Sequence, residues 1–294
     1  METGIMGYST FLLYDGNWKH TDEPSLFIGN RAFRFGDAIA EDIHAFSSHP
    51  QFFDRHVRSL MEGMELLEMD VPPDFSVDVL QLYLSGLLLR NKIFGGAAVR
   101  LTVFRNSVTP LLIPEDNRTS YVMDARKLDH KYYTLNENGY IIDVFDEIHK
   151  PVNRLSGLRN AFSSLYLYAG NYCKNNRLDD CILLNDKGRM VESLCSNIFL
   201  IKDNSIFTPA VEEGCISGVL RQVMVELCIS MGYRINDSSR LNPEALGDAD
   251  EVFLLNAVEG IRWVAAYKNR RYYRRIVPLL NDALNEAAFS QGTS

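Results

Sequence analysis

The first 124 residues alternate between strand-like and helix-like patterns of apolar positions. The stretch "YSTFLLYDGNWKH" predicts two strands joined by a turn at Asp15-Gly16. Apolar residues recur on one face of "DRHVRSLMEGMELLEM" and of "FSVDVLQLYLSGLLLRN", which predicts two amphipathic helices. In "AAVRLTVFR" every second residue is apolar, a pattern typical of a strand. Strands, two helices and another strand indicate a smaller N-terminal α+β domain over residues 1–124.

The second half of the chain predicts a larger domain over residues 140–294, after a polar connector over residues 125–139. Four strand-like segments ("CILLN", "RMVES", "SNIFLIKD" and "SIFTPA") precede a helix, "SGVLRQVMVELCISMG", with Ser217 as its N-cap and Gly232 as its C-terminal stop. "DEVFLLNAVEGIRWVAAY" adds strand and "IVPLLNDALNEAAF" a final helix. Helical spacing after Arg159 predicts one more helix, whose apolar positions are Phe162, Leu165, Tyr166, Ala169 and Cys173.

Composition and charge exclude several classes of protein. Hydrophobic residues make up 46% of the chain and charged residues 23%, which is an ordinary globular composition. A net charge of −8 argues against nucleic-acid and anionic-membrane partners, and the basic run "YKNRRYYRR" is interpreted as an exposed hairpin. No run approaches the roughly 18 apolar residues of a membrane span. The first 20 residues lack the basic start of a signal peptide, so we expect a cytoplasmic protein.

Cysteines and histidines show no metal-binding pattern. The five cysteines form no CxxC pair and mostly lie in apolar runs, which predicts buried thiols in a reducing compartment. His44, His49 and His56 lack metal-ligand spacing and are expected to be structural or exposed. No Ser/His/Asp arrangement indicates nucleophilic hydrolysis.

Two features could carry chemistry. Glu192 places a carboxylate in a strongly β-forming region, which is costly unless it is paired; an exposed alternating position is the other interpretation. "GCISGVLR" opens a helix whose first turn has free backbone N–H groups, and such a turn can bind a phosphate or carboxylate. Alone this second feature is weak, because every helix has an N-terminus.

Taken together, these features resemble a known family. The run "ESLCSNIFLIKDNSIFTPAVEEGCISGVLR" resembles the signature of the fold-type IV pyridoxal-phosphate enzymes, which include branched-chain aminotransferases, D-amino-acid aminotransferases and 4-amino-4-deoxychorismate lyase. "RAFRFGDAIAED", "DRHVRSLM", "RLTVFR" and "HKPVNRLSGLR" are similar to further family segments, so the resemblance covers most of the chain.

The resemblance implies a two-domain α/β (α+β) fold of fold-type IV, with pyridoxal 5′-phosphate between the domains. It also implies a homodimer whose partner lends a loop to each site, and a small amino acid or anionic metabolite as the substrate. In such enzymes the glutamate, here Glu192, keeps the pyridine nitrogen protonated, and the helix after Gly218 holds the phosphate. The implied cofactor-binding positions are Glu192, Ser196, Asn197, Gly218, Val219, Leu220, Ser59 and Ala257. The implied substrate-binding positions are Ala40, Arg105 and Asn256.

Several of these positions depart from the family pattern. Counting back from "LDDCILLN", Arg159 stands at the lysine that binds the cofactor covalently and moves the substrate proton. Arginine stays protonated and can do neither. Ser59 replaces a phosphate-binding arginine, and its neighbour Arg58 would point about 100° away around the helix. Leu220 lacks a threonine's hydroxyl, and Ala40 replaces an aromatic residue.

Other basic residues offer little compensation in the sequence. Lys150, nine residues upstream of Arg159 across a loop, and Lys174, about four turns along the helix, are expected to be poor substitutes. Arg159 could instead bind an anion bidentately. Arg105 is either a substrate-carboxylate ligand or a surface charge at a strand end.

Three functions therefore stay open. The first is a divergent family member that keeps a pocket for a phosphorylated or carboxylated metabolite but lacks standard transamination. The second is a working pyridoxal-phosphate aminotransferase or lyase, which would need another lysine or free cofactor. The third is a non-catalytic interaction protein.

Overall fold

The computed structural model describes residues 9–23, 27–107, 109, 111–161 and 163–290. The backbone divides into two compact units. Unit 1 comprises the chain up to Tyr132 and the segment Arg159–Phe162; unit 2 comprises Tyr133–Leu158 and Ser163–Gln291. The division at Tyr132 falls inside the stretch predicted as a connector, and nothing in the sequence indicated that residues 159–162 belong to unit 1.

Unit 1 is an antiparallel sheet with helices. In the described residues its strand order is β2-β1-β6-β5-β3-β4. The predicted hairpin, both amphipathic helices and the alternating strand are confirmed. The elements are β1 Phe11–Tyr14, β2 Asn17–His20, α1 Arg31–Phe35, β3 Ala38–Phe46, β4 His49–Pro50, α2 Phe53–Leu66, α3 Val77–Arg90, β5 Gly96–Arg105 and β6 Thr119–Lys127.

The core of unit 1 is formed by the apolar faces that the strand and helix periodicities predict. The alternating residues of β5, Ala97 to Val103, are buried in one cluster with Leu60 and Met64 of α2 and Leu84 of α3. Each fully buried side chain of this size stabilises the fold by about 1.5–3 kcal/mol. Arg100, between these apolar positions of β5, faces outward, as the alternation predicts.

Unit 2 is built on a second sheet, in the order β12-β11-β10-β13-β14-β7-β8-β9. Because β9 also pairs with β10, the strands from β10 round to β9 close into a ring. The elements are β7 Tyr140–Lys150, α4 Ser164–Asn176, β8 Asp180–Asn185, β9 Met190–Ser193, β10 Asn197–Lys202, β11 Ser205–Pro209, a 3₁₀ turn Val211–Glu213, α5 Val219–Ser230, β12 Arg234–Ser239, α6 Ala245–Asp248, β13 Glu251–Asn256, β14 Gly260–Tyr267, β15 Arg270–Arg271 and α7 Val277–Phe289.

Two helix starts differ from the predictions. The chain after Arg159 stays extended, because Asn160 bridges to Ile39 of β3, and α4 begins only at Ser164. Phe162, predicted on the helix face, lies outside the described residues. The N-cap of α5 is Gly218 rather than Ser217, whose hydroxyl accepts a hydrogen bond from Gln222 instead of capping the helix.

Other predictions for unit 2 are confirmed. Gly232, with φ of +78°, follows the end of α5 in a left-handed conformation that favours glycine. The basic run forms the β14–β15 hairpin, and both residues of β15 are exposed.

The cysteines carry no disulfide in the described residues. Four of the five are buried, as predicted, but Cys195 is exposed because it lies in the turn between β9 and β10. None of the helices in the described residues is both long and apolar enough to cross a membrane.

Candidate active site

Glu192 lies at the centre of a buried polar cluster in unit 2. Its side chain, on β9, is 2% exposed, so the interpretation as an exposed position is wrong. Oε1 accepts hydrogen bonds from Lys150 Nζ at 2.5 Å and from Tyr166 Oη at 2.6 Å. Oε2 accepts one from the backbone N–H of Ile216 at 2.7 Å. The carboxylate is therefore paired with a cation and held by donors on both oxygens.

Lys150 reaches this cluster from the last position of β7. The pairing of β7 with β8 shifts register between Phe145 and Lys150, which sets Lys150 opposite Asn185. Its ammonium also donates to the carbonyl of Ser156 at 2.9 Å. No pattern in the sequence indicated that Lys150 contacts Glu192, because that contact depends on the loop after β7 folding back onto the strand end. The expectation that Lys150 is a poor substitute for a lysine at position 159 stays a prediction.

The entry to α5 is packed tightly against β10. Asn197 donates from Nδ2 to the carbonyl of Ile216 at 2.8 Å. A Cβ on Gly218 would lie 2.7 Å from Asn197 Oδ1, so the close approach requires glycine. Val219 and Leu220 form the first turn of α5, where no side chain caps the N–H groups. This turn keeps its capacity for an anion, although Leu220 offers no hydroxyl.

The β13–β14 turn lies beside the start of β10. Asn256 Oδ1 accepts hydrogen bonds from the N–H groups of Val258 and Glu259, at 3.1 and 2.9 Å. Its Nδ2 donates to Ser196 Oγ at 3.1 Å. The carbonyl of Ala257 accepts from Tyr133 Oη at 3.2 Å. These bonds join two predicted positions, Ser196 and Asn256, and set Ala257 in the turn itself.

Arg159 is joined to unit 1 by its backbone and by its side chain. Its carbonyl accepts a hydrogen bond from the N–H of Ala40 at 3.0 Å. Its guanidinium forms a salt bridge with Asp42 on β3, and its side chain is 30% exposed. Asp42 also pairs with Arg100 at 3.0 Å. The charge at position 159 is thus neutralised by a carboxylate that sequence reasoning did not single out.

Three charged residues lie side by side across the sheet of unit 1. Asp42 on β3 is opposite Arg100 on β5, which is opposite Asp124 on β6. Burial raises the pKa of Asp124 to about 6, while Arg100 lowers it in part and Asp42 raises it further.

The side chain of Ser59 is hydrogen-bonded to another side chain of unit 1. Its hydroxyl donates to Glu41 Oε1 at 2.8 Å, and His56 Nδ1 lies 2.8 Å from the other oxygen of that carboxylate. Arg58 faces solvent with 68% of its side chain exposed, and its nearest acidic partner is Asp54 at 3.9 Å. The helical offset of about 100° predicted that Arg58 would not point to the same place as Ser59.

Arg105 is buried rather than a surface charge, so that interpretation is wrong. Nε donates to Asp37 at 3.1 Å, and the terminal nitrogens donate to the carbonyls of Leu67 and Glu68 at 2.7 and 3.2 Å. Nη1 also donates to Asn117. These bonds give the guanidinium a structural role in unit 1.

Sequence reasoning missed three residues that the structure brings to these clusters: Lys150, Tyr166 as a hydrogen-bond donor, and Asp42. Tyr166 counted only as an apolar helix position, and no local pattern marks the other two. Among the described residues, no group of three His, Cys, Asp or Glu side chains could hold a metal ion.

Comparison with known proteins identifies the relatives of this chain. Residues 38–267 match the model of the family described as amino-transferase class IV. The chain is 24% identical over 260 residues to a putative branched-chain-amino-acid aminotransferase of Methanocaldococcus jannaschii, covering 81% of this chain and 82% of that protein. It is 22% identical over 248 residues to aminodeoxychorismate lyase of Bacillus subtilis, covering 83% and 82%.

A solved structure confirms the predicted fold. The branched-chain amino acid aminotransferase of Thermobaculum terrenum in its PLP form superposes with a TM-score of 0.84 at 16% identity, covering 97% of this chain and 95% of that one. The chain therefore has the α+β fold of the fold-type IV aminotransferases.

Proposed function

Because this chain belongs to the class IV aminotransferase family, we propose that it is a divergent member without transaminase activity that binds a small anionic metabolite. The observation that carries the proposal is the side chain at position 159. The count from "LDDCILLN" sets Arg159 at the family's lysine, and its guanidinium is bound to Asp42.

Arginine cannot do the work of that lysine. Covalent attachment of a carbonyl group and transfer of the substrate proton both need a free amine. The guanidinium stays charged, and it forms a salt bridge with the carboxylate of Asp42. Loss of general acid–base help alone costs about 10²–10⁴-fold in rate, and the covalent bond is lost as well.

The residues present do not fit pyridoxal 5′-phosphate as a working cofactor. When bound in a relative, that group supplies a protonated ring that accepts electrons from the substrate. Here the carboxylate of Glu192 is already neutralised by Lys150 and holds Tyr166 and the Ile216 N–H. Ser59, at the position of the phosphate-binding arginine, donates its hydroxyl to Glu41.

The anion-binding part of the proposal rests on the start of α5. Gly218, the uncapped first turn and the close packing of Asn197 keep backbone N–H groups at a fixed helix end. Such an end favours a phosphate or carboxylate through its N–H groups and the helix dipole. A phosphorylated or carboxylated metabolite is therefore the ligand class.

A working enzyme is the second candidate, and one observation favours it. Lys150 brings an amine within 2.5 Å of Glu192, although both hydrogen bonds of that ammonium, to Glu192 and to Ser156, engage it in the fold. If the protein is a working enzyme, Lys150 is the residue that forms the covalent bond to the cofactor.

One experiment separates the two. Purified protein is incubated with pyridoxal 5′-phosphate, reduced with borohydride and mapped by peptide mass, and amino transfer is assayed with a branched-chain amino acid. For the wild type we expect only partial labelling of exposed lysines, no stoichiometric adduct at any one lysine, and no transfer. Arg159→Lys restores the amine, so with pyridoxal 5′-phosphate in excess we expect a reduced adduct at residue 159, even though Glu192 stays paired with Lys150.

The matched control is Arg58→Lys, the same exchange at an exposed arginine, which should gain no stoichiometric adduct at residue 58. An adduct on Lys150 of the wild type, together with amino transfer, would establish the enzyme and overturn the proposal. Absence of inorganic phosphate binding would instead favour the interaction protein.

A further inference from the structure

The ammonium of Lys150 has a site built for it. The loop after β7 is tied by the Ser156 hydroxyl, which donates to the Pro151 carbonyl at 2.8 Å and accepts from the Asn153 N–H at 2.8 Å. These bonds aim the Ser156 carbonyl at Nζ. Lys150 is 7% exposed and Ser156 is 7% exposed, so the loop encloses the cation.

The partner of this cation is as buried as the cation itself. A carboxylate that is 2% exposed must be paired, because an isolated buried charge is strongly unfavourable. Lys150 satisfies that need from within the chain, and Tyr166 and the Ile216 N–H complete the shell. No ligand is required to neutralise Glu192.

We infer that Lys150 is a built-in replacement for the protonated ring that Glu192 would otherwise bind, and that it sets the ligand preference of the site. With Lys150 in place, a ligand with a cationic ring gains nothing at Glu192 and meets a like charge there. The site then selects anionic ligands without a cationic ring. This inference rests on the proposed function, since it specifies which anions the site accepts.

The test compares two phosphate esters that carry a six-membered aromatic ring, one with a ring nitrogen and polar ring substituents and one with neither, and it follows how each affinity changes between the wild type and the variants. Pyridoxine 5′-phosphate has a protonatable nitrogen and no aldehyde, so covalent attachment cannot contribute; benzyl phosphate has no nitrogen. Their dissociation constants are measured by titration calorimetry on the wild type and on Lys150→Met. The wild type should bind benzyl phosphate at least as tightly as pyridoxine 5′-phosphate.

Removal of the ammonium should reverse this preference. In Lys150→Met the freed carboxylate gains a charged hydrogen bond to the ring, so pyridoxine 5′-phosphate should bind about tenfold tighter or better. The affinity for benzyl phosphate should stay within about twofold, because its phosphate does not use Glu192. Lys150→Met/Glu192→Gln should lose the gain, and Lys174→Met, at an exposed lysine, should behave as the wild type.

Stability gives an independent readout. Lys150→Met leaves a buried charge unpaired and should lower Tm by roughly 10 °C, and the double variant should recover most of that loss. A wild type that prefers pyridoxine 5′-phosphate overturns the inference even if Lys150→Met does not fold. A folded Lys150→Met without the gain also overturns it. Failure of benzyl phosphate to bind the wild type would overturn the anion site of the proposed function, while the gain in Lys150→Met would still support the role of Lys150.

Discussion

At the scale of single residues, Asp42 and Asp124 flank Arg100 across three strands of unit 1, and Arg159 brings a second cation to Asp42. Of the two carboxylates, Asp124 is the one whose negative charge is less well balanced by a nearby cation. Its pKa of about 6 shows that burial outweighs the attraction of Arg100. The folded protein therefore keeps a proton on Asp124 between about pH 4 and pH 6 that the unfolded chain has released.

This proton predicts a direction for stability against pH. Because the folded state binds this additional proton in that window, the contribution of Asp124 to the free energy of unfolding should fall as the pH rises from about 4 to about 6. Asp124→Asn mimics the protonated form and should be about 1–2 kcal/mol more stable than the wild type at pH 7.5, with no advantage at pH 4. Urea unfolding of the wild type and of Asp124→Asn at four pH values measures the pH dependence and the difference in stability.

The exposed Asp54→Asn serves as the control for this substitution and should show no such gain. Parallel stability curves for Asp124→Asn and the wild type between pH 4 and pH 7.5 would contradict the assignment.

Sequence reasoning worked at single residues where a local motif carried the information. Glu192 could be singled out because a carboxylate interrupts a β-forming run. Lys150 could not, because its distance to Glu192 is set by a register shift in β7 and by a loop that folds back, and neither leaves a periodic signal. Separation along the chain was a poor guide to separation in space.

At the scale of elements, the start of α5 is fixed by contact rather than by a capping side chain. Gly218 has φ of −62°, which any residue can adopt, so glycine is required there by the lack of space beside Asn197. The chain thus holds the first turn of α5 against β10 at one position without a side chain.

Gly218→Ala should test this packing. The added Cβ would displace Asn197 and break its bond to the Ile216 carbonyl, so we expect a loss of about 1 kcal/mol in stability and weaker phosphate binding. Gly170→Ala is the matched control, because it lies inside α4 with no atom within 4 Å of an added Cβ. That variant should be about 0.5–1 kcal/mol more stable.

Denaturant unfolding and calorimetric phosphate titration give both quantities for the pair. If Gly218→Ala and Gly170→Ala changed stability and phosphate affinity equally, the contact between residue 218 and Asn197 would not constrain the start of α5.

Element types were predictable because their periodicities are strong, as in α2, α3 and β5. Two helix starts were not. The segment after Arg159 forms backbone bonds to β3, a partner over a hundred residues away, which override its helical pattern. Ser217 has the chemistry of an N-cap, yet its hydroxyl turns to Gln222. A long-range contact decided the first case, and a local side-chain hydrogen bond accompanies the second.

At the scale of the whole molecule, the homodimer stays a prediction, and unit 1 shows a surface suited to one. Leu111, Leu112 and Ile113 are 66%, 71% and 79% exposed, an unusual run of apolar residues in contact with water. Arg31 fixes this run by donating to the carbonyls of Leu111 and Leu112, at 2.8 and 2.7 Å, while bound to Asp37.

Replacing this run should shift the oligomeric state. The double variant Leu112→Ser/Ile113→Ser removes apolar contact area and should weaken association at least about tenfold. Light scattering after size exclusion should then give the 33.5 kDa chain mass where the wild type gives twice that value. Leu89→Ser, at a 64% exposed leucine of α3, should leave the mass unchanged. A monomeric wild type would refute the dimer.

The backbone of position 159 has an evolutionary consequence. The carbonyl of Arg159 accepts a hydrogen bond from the Ala40 N–H, and the N–H of Ala161 donates to the Ala38 carbonyl at 2.9 Å, so main-chain bonds attach this segment to β3 in addition to the salt bridge between Arg159 and Asp42. The main-chain bonds do not depend on the side chain at position 159, so a substitution there would lose the salt bridge to Asp42 and keep this attachment. A substitution at position 159 can therefore change the chemistry of the site while the fold is kept. A family of proteins can gain or lose an activity at this position without losing its architecture.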